Sequence, residues 1–178
     1  MSDLIALAEM PIVAAWNVQG DASRVQFTDQ VAQHLSISLP IVPNTTARSD
    51  ALTAFWLGPC SWLLVTQAVN SPLAHLIEKR NAINAAGGAV FDLSASRVAY
   101  QVAGVRAAEL LATGCPLDLD PRAFRAGDCA QSVFARVNAL LYKPNEAPTF
   151  VIMVARSFAR DVWEALEFSA AQFGYRAQ

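Results

Sequence analysis

The apolar positions of this chain follow two rhythms, and the switch between them marks its elements. Ile12–Gln19 is β-branched and aromatic and runs into Gly20-Asp21, which predicts a strand and a turn. Across Ser23–Leu35 the pattern changes: Phe27, Val31 and Leu35 fall at steps of four, with Arg24, Gln26, Asp29 and Gln33 off that stripe, as in an amphipathic helix. Ser36–Asp50 holds Pro40, Pro43 and Asn44 and reads as an extended connection without helix. Leu52–Leu57 and Trp62–Gln67 flank Gly58-Pro59-Cys60-Ser61, which predicts a β-hairpin with a four-residue loop. Ser71-Pro72 then supplies an N-cap and a proline at the first helical position. The helix is expected to reach about Asn84, bury Leu73, Leu76, Ile77 and Ile83, show Glu78, Lys79 and Arg80 to water, and stop at Gly87-Gly88.

The second half repeats the plan. Ala89–Leu93 and Arg97–Val102 read as strands separated by Ser94-Ala95-Ser96. Gly104 opens a helix over Val105–Thr113 with Ala107, Ala108 and Leu111 inward and Arg106 and Glu109 outward. Gly114 fits a left-handed C-cap, and Cys115-Pro116 prevents the helix from continuing. After a loop over Pro116–Asp128, Gln131–Tyr142 and Thr149–Val154 read as strands, and Phe150–Val154 lacks alternation, as in a strand buried on both faces. Ser157 is expected to cap a last helix whose stripe is Ala159, Trp163, Leu166 and Ala170, broadened by Val162 and Phe173. Arg160 and Glu164 pair on its wet side, and Gly174 ends it.

The order is therefore β-α-β-β-α-β followed by β-α-β-β-α. Aligning Val18-Gln19-Gly20 with Val102-Ala103-Gly104 puts helix on helix and hairpin on hairpin. The expected fold class is α+β: one domain over residues 1–178, built of two ferredoxin-like split βαβ half-repeats at about 10–94 and 95–174. Antiparallel or mixed sheets would be covered by helices.

Composition sharpens this picture. The chain of 178 residues is 54% hydrophobic and only 16% charged, with a mean hydropathy of +0.30, where about a quarter charged is usual. Either a membrane segment or surface buried against other subunits would explain it. The one candidate span, the uncharged gap between Asp50 and Glu78, is broken by Gly58-Pro59 and Pro72 and carries several polar side chains, so it is rejected. Asp3 and Glu9 occupy the place where a signal peptide needs a basic start and a clean apolar run. Cys60, Cys115 and Cys129 are odd in number and show no paired spacing, which fits buried thiols in a reducing compartment. A formal charge of −2 and a pI near 5.6 argue against a nucleic-acid surface. The expected location is cytoplasmic.

No motif for catalysis stands out. His34 and His75 are the only histidines, and no Gly-x-Ser-x-Gly elbow accompanies them. A hydrolytic Ser-His-Asp reading is thus kept behind that of two boundary histidines. Metal-ligand spacings such as His-x-x-x-His or Cys-x-x-Cys are absent, and so are dinucleotide and Walker loops. Cys115 follows a helix end, where the dipole works against a thiolate. Gly104 at a helix start is a candidate anion cradle, weighed against a glycine that closes a tight turn. Asp118 and Asp120 form a possible carboxylate pair, but their Leu-Asp-Leu-Asp-Pro setting favours turn and cap roles. Arg156, at the end of a buried strand, is read as a partner in a structural or interface salt bridge. Trp16, Trp56, Trp62 and Trp163 are expected in the core, with some facing a partner, since aromatic enrichment and charge depletion mark interface cores.

Three runs together resemble the gamma subunit of heterotetrameric sarcosine oxidase. They are Leu57-Gly58-Pro59-x-x-Trp62-Leu63-Leu64; Asp92-Leu93-Ser94-x-x-Arg97-Val98 through Gly104 and Leu110-Leu111 to Gly114-Cys115-Pro116-Leu117-Asp118-Leu119; and Val154-x-Arg156-Ser157-Phe158-Ala159. Phe124, Gly127 and Ala130-Gln131 fall in order between the last two. More remotely, Asp92-Leu93-Ser94 followed by a strand and Gly104 resembles the folate-binding domain of glycine-cleavage T-proteins. The resemblance implies a non-catalytic subunit that contributes assembly and packing to a complex oxidatively demethylating sarcosine to glycine. The implied partners are alpha, beta and delta subunits; FAD and FMN would sit on beta, NAD and tetrahydrofolate on alpha, and zinc on delta. No catalytic, cofactor-binding or metal residue is carried over to this chain. The alternative expectation is a standalone folate-binding, T-protein-like module of one-carbon metabolism.

Overall fold

The computed structural model describes residues 4–173. The chain divides into two compact units: an inserted unit, Ile12–Ala95, and a host unit made of Met1–Pro11 with Ser96–Gln178. Each is an α+β layer of one five-stranded antiparallel sheet and two helices.

In the inserted unit, β2 (Ala14–Gln19), α1 (Val25–Leu35), β3 (Thr46–Arg48), β4 (Thr53–Gly58), β5 (Ser61–Thr66), α2 (Leu76–Ala85) and β6 (Ala89–Asp92) give the sheet order β3-β4-β5-β2-β6. Phe27, Val31 and Leu35 of α1 are buried as their spacing predicts, packed with Trp16, Val18, Trp62 and Leu64. Trp62 is fully buried, lies tilted against Phe27 with ring centroids 6.1 Å apart, and donates its Nε1–H to the Pro40 carbonyl at 2.7 Å. That bond satisfies a polar atom the core could not otherwise hold, and it fastens the extended connection to the sheet.

In the host unit, β7 (Arg97–Ala103), α3 (Ala107–Ala112), β8 (Cys129–Phe134), β9 (Val137–Tyr142), β10 (Thr149–Ala155) and α4 (Ala159–Ala171) are joined by β1 (Ala6–Met10), in the order β1-β7-β10-β9-β8. Leu110 and Leu111 of α3 and Val162, Leu166 and Ala170 of α4 pack on Val98, Val102, Leu141, Phe150, Ile152 and Val154. Phe150–Val154 is buried at every position. In both sheets the second face is apolar and buried too, through Ala15, Phe55 and Leu63 in one and Ala99, Leu140, Val151 and Met153 in the other. Strands apolar on two faces account for part of the high hydrophobic content.

Several local expectations give way. The hairpin loop at Pro59-Cys60 has two residues, with a register shift between Trp56 and Gly58. Gln131–Tyr142 is two strands: Ala135 and Arg136, both with positive φ (48° and 71°), turn the chain back on itself. The helix after Ser71 opens as a 3-10 turn over Pro72–His75, with Ser71 Oγ accepting from the Leu73 N–H. This tighter turn shifts the phase of α2, so Ile77 is 56% exposed. Gly114 does not take a left-handed conformation; a Cβ there would meet the Phe134 ring and the Ala135 nitrogen at 3.0–3.1 Å, so close packing explains it. Ser157 does not cap α4, because a 3-10 turn over Arg156–Phe158 moves the cap position to Phe158. On α3, Leu110 is buried and Ala108 is only half-buried. Cys115 and Cys129 are buried, whereas Cys60 is exposed in the hairpin loop. Gly174 lies outside the described residues.

Candidate functional residues

Asp92, Leu93 and Ser94 form a hydrogen-bonded cluster with Ala15 at the end of the inserted unit. β6 ends at Asp92, whose Oδ1 accepts from the Ser94 N–H (2.8 Å) and the Ser94 hydroxyl (2.6 Å). So held, Ser94 Oγ accepts from the Ala15 N–H at 3.0 Å, while the Leu93 N–H donates to the Ala15 carbonyl at 2.8 Å. Ala15 is fully buried, so both of its backbone groups need partners. The carboxylate and hydroxyl are committed to that need.

Gly104 has φ +118°, and a Cβ on it would lie 2.5 Å from the Leu4 carbonyl oxygen. The same oxygen accepts from the Arg106 N–H at 3.2 Å, and the Ala107 N–H donates to Gly104 O at 2.9 Å. The Arg106 and Ala107 amides at the start of α3 are thus bonded within the chain, and the glycine lets the segment ahead of β1 approach.

Asp118 and Asp120 sit in consecutive side-chain turns: Asp118 Oδ1 accepts from the Asp120 N–H, and Asp120 Oδ1 from the Arg122 N–H and Nε. Bonding to the Arg122 side chain, and then to its backbone N–H, lowers the Asp120 carboxyl to about 2. It therefore stays ionised and fits a poor general acid. His34 contacts Gln30 at 3.2 Å and the exposed His75 contacts Glu78 at 3.4 Å; both are neighbours on the same or the adjoining helical turn. Cys115 Sγ lies 3.8 Å from Ser132 Oγ. Arg156 donates to the Arg97 carbonyl at 3.2 Å, tying the end of β10 to the start of β7. Trp16 and Trp62 are buried, and Trp56 and Trp163 are half-buried, Trp163 at 5.2 Å from Tyr100. Among the described residues no group of three His, Cys, Asp or Glu side chains is placed to hold a metal ion. No helix there is long and apolar enough to cross a membrane.

One polar residue escapes sequence reasoning. Lys143 is 2% exposed, its Nζ donating to Ala147 O at 2.8 Å and lying 4.9 Å from the centre of the Phe150 ring. The visible signal is a lysine at the end of an apolar strand, directly before Pro144. Tyr100 is the other notable polar group: burial, then the charge of Glu9, pushes its phenol up, and it donates to Ala159 O at 2.9 Å.

Known proteins supply what this geometry alone does not. Sarcosine oxidase subunit gamma of Corynebacterium sp. (strain U-96) is 32% identical over 148 residues, 80% of this chain and 70% of that protein. The subunit gamma of an Arthrobacter species is 28% identical over 123 residues, and the matched stretch spans 59% of that relative's length. Among solved structures, heterotetrameric sarcosine oxidase from Corynebacterium sp. U-96 in complex with pyrrole 2-carboxylate contains a chain similar in fold. The TM-score is 0.84 at 24% identity, covering 98% of this chain and 87% of that one. The glycine cleavage system aminomethyltransferase T of Bartonella henselae shares the fold at TM-score 0.66 and 17% identity, over 93% of this chain and 46% of that one. The model of the sarcosine oxidase, gamma subunit family matches residues 19–172, and the chain belongs to that family.

Proposed function

We propose that this chain is the gamma subunit of a heterotetrameric sarcosine oxidase, serving assembly and packing in a complex that oxidatively demethylates sarcosine to glycine. The observation that carries the reading is the family match across residues 19–172. Placement of the polar side chains supports it, since the Asp92–Ser94, Asp118–Arg122 and Arg156 groups serve backbone and turn geometry. In this reading the partners are alpha, beta and delta subunits in the cytoplasm. FAD, FMN, NAD, tetrahydrofolate and zinc reside on them, and no catalytic, cofactor or metal residue lies here. The chain is taken as one domain of two half-repeats, a view supported by the identical strand order of its two sheets.

The test is co-expression with the flavoprotein subunits. A tagged form of this chain is expected to bring down a yellow complex whose flavin absorbance bleaches on adding sarcosine. A chain that purifies alone beside an intact, active flavoprotein overturns the reading. The second reading, a standalone folate-binding module, draws on the fold shared with aminomethyltransferase T. Titration calorimetry of this chain with tetrahydrofolate separates the two, with no heat expected under the first.

A further inference from the structure

The host unit's sheet is closed by a strand that enters from the far side of the inserted unit in sequence. β1 pairs with β7 from Ala6↔Ala103 to Met10↔Ala99, so residues about ninety apart in sequence must meet. In an unfolded chain, closing such a loop is entropically costly. Once the inserted unit folds, the cost largely disappears, because its two ends are neighbours: Trp16 pairs with Asp92 on adjacent strands. From Met10 to Trp16 the chain advances six residues, and from Asp92 to Ala99 it advances seven. The second crossing contains a 3-10 turn over Ser94–Ser96.

At this exit, the β2–β6 ladder runs out. Beyond Trp16↔Asp92 a continuing strand would offer a carbonyl to the buried Ala15 N–H, and the serine hydroxyl takes that place. Asp92 fixes the hydroxyl by accepting its proton and the Ser94 N–H, and the Leu93 N–H completes the join on Ala15 O. We infer that Asp92-Leu93-Ser94 is a clasp that holds the two crossings together at the mouth of the inserted unit, so that docking of β1 on β7 depends on the Ser94 hydroxyl. β1 itself brings no fully buried side chain: it is a five-residue edge strand of exposed or half-buried residues, anchored by the preceding Ile5, which is buried, and by Leu4 O. A device that raises the local concentration of β1 beside β7 therefore decides whether the host sheet is complete.

Hydrogen exchange with mass spectrometry on the full chain tests this. In Ser94→Ala, protection over Ala6–Met10 is expected to fall by about tenfold, the scale of one or two lost partly buried hydrogen bonds, while β4 and β5 stay protected. Ser94→Thr, which keeps the hydroxyl, is expected to retain protection. Trp62→Phe serves as the control: it removes the bond to Pro40 and loosens the inserted unit away from its mouth, leaving Ala6–Met10 unchanged. Should Ser94→Ala not fold, Asp92→Asn, which weakens the grip on the hydroxyl, is expected to lower protection in the same segment several-fold. Unchanged protection of Ala6–Met10 in the Ser94→Ala chain, or in Asp92→Asn where that is the readable variant, overturns the clasp. So does an equal loss in Trp62→Phe.

Discussion

The two units place the same five strands in the same order, with β3-β4-β5-β2-β6 matching β8-β9-β10-β7-β1, yet they fill the last position differently. In the inserted unit β6 follows α2 directly in the chain, and the sheet closes locally. In the host unit the chain beyond α4 adds no strand among the described residues, and β1 arrives from the opposite end. The edge position beside β2 in one unit and β7 in the other is thus defined by geometry: any antiparallel segment that presents its ladder groups there can occupy it. The units differ in charge as well. Nine of the chain's charged side chains lie in Ile12–Ala95 and the other nineteen in the remainder, so the low charge of the whole is mainly a property of the inserted unit.

Removing Met1–Pro11 is the most severe way to break the comparison. It strips the host sheet of an edge strand, its buried Ile5 and the acceptor at Leu4, with an expected loss of about 4 kcal/mol or more. Thermal unfolding followed by near-UV dichroism would show the host transition moving down or vanishing while the inserted unit persists. Next come Leu166→Ala on α4 and Leu76→Ala on α2, both fully buried, each expected to cost about 3 kcal/mol. Scanning calorimetry of the pair would show whether the units unfold together or as separate transitions.

The aligned glycines give a finer contrast. A Cβ at Gly20 meets the Phe27 ring at 2.5 Å, and one at Gly104 meets the Leu4 backbone at the same distance but also at φ +118°. Gly104→Ala is expected to cost about 2 kcal/mol through backbone strain in addition to the clash, and Gly20→Ala less, as measured by urea denaturation. The smallest effect is electrostatic. Asp120 in the folded host unit titrates at about 2, below its ordinary 3.8, so its contribution is present above about pH 4 and is lost as pH falls toward 2. The urea midpoint should decline slightly over that window, and Asp120→Asn should remove this part of the decline. Its carboxylate is exposed, so the change is modest.

Much of the architecture is legible from residue patterns. The α1 stripe, the Gly58-Pro59 hairpin, the Ser71-Pro72 start and the two-sided apolar run at Phe150–Val154 all follow from periodicity and turn chemistry. β1 is not, because Ala-Leu-Ala-Glu-Met is made of good helix formers, and only pairing with β7 makes it extended. The turn at Ala135-Arg136 carries neither glycine nor asparagine, so nothing in its composition announces two positive φ angles. Ile77 and Ser157 depart from expectation for one reason: both helices open with a 3-10 turn that displaces phase and cap, and single-sequence periodicity assumes 3.6 residues per turn from the start. The candidate chemistry dissolves differently. Asp92 and Asp120 accept from backbone N–H groups two residues ahead, turn roles the sequence shows at Asp120, whereas Ser94 and Arg156 are bound to backbone groups that only the folded chain brings near.

The placement of the tryptophans has an optical consequence. Trp16, Trp56 and Trp62 all belong to the inserted unit, and Trp163 stands alone in the host unit, 5.2 Å from Tyr100. Intrinsic emission of the chain is therefore weighted toward one unit, with two of its three indoles buried. A Trp163→Phe chain would leave fluorescence reporting on Ile12–Ala95 alone. The wild-type difference signal would then follow the helix that packs over β7 and β10, two spectroscopic channels already written into one polypeptide.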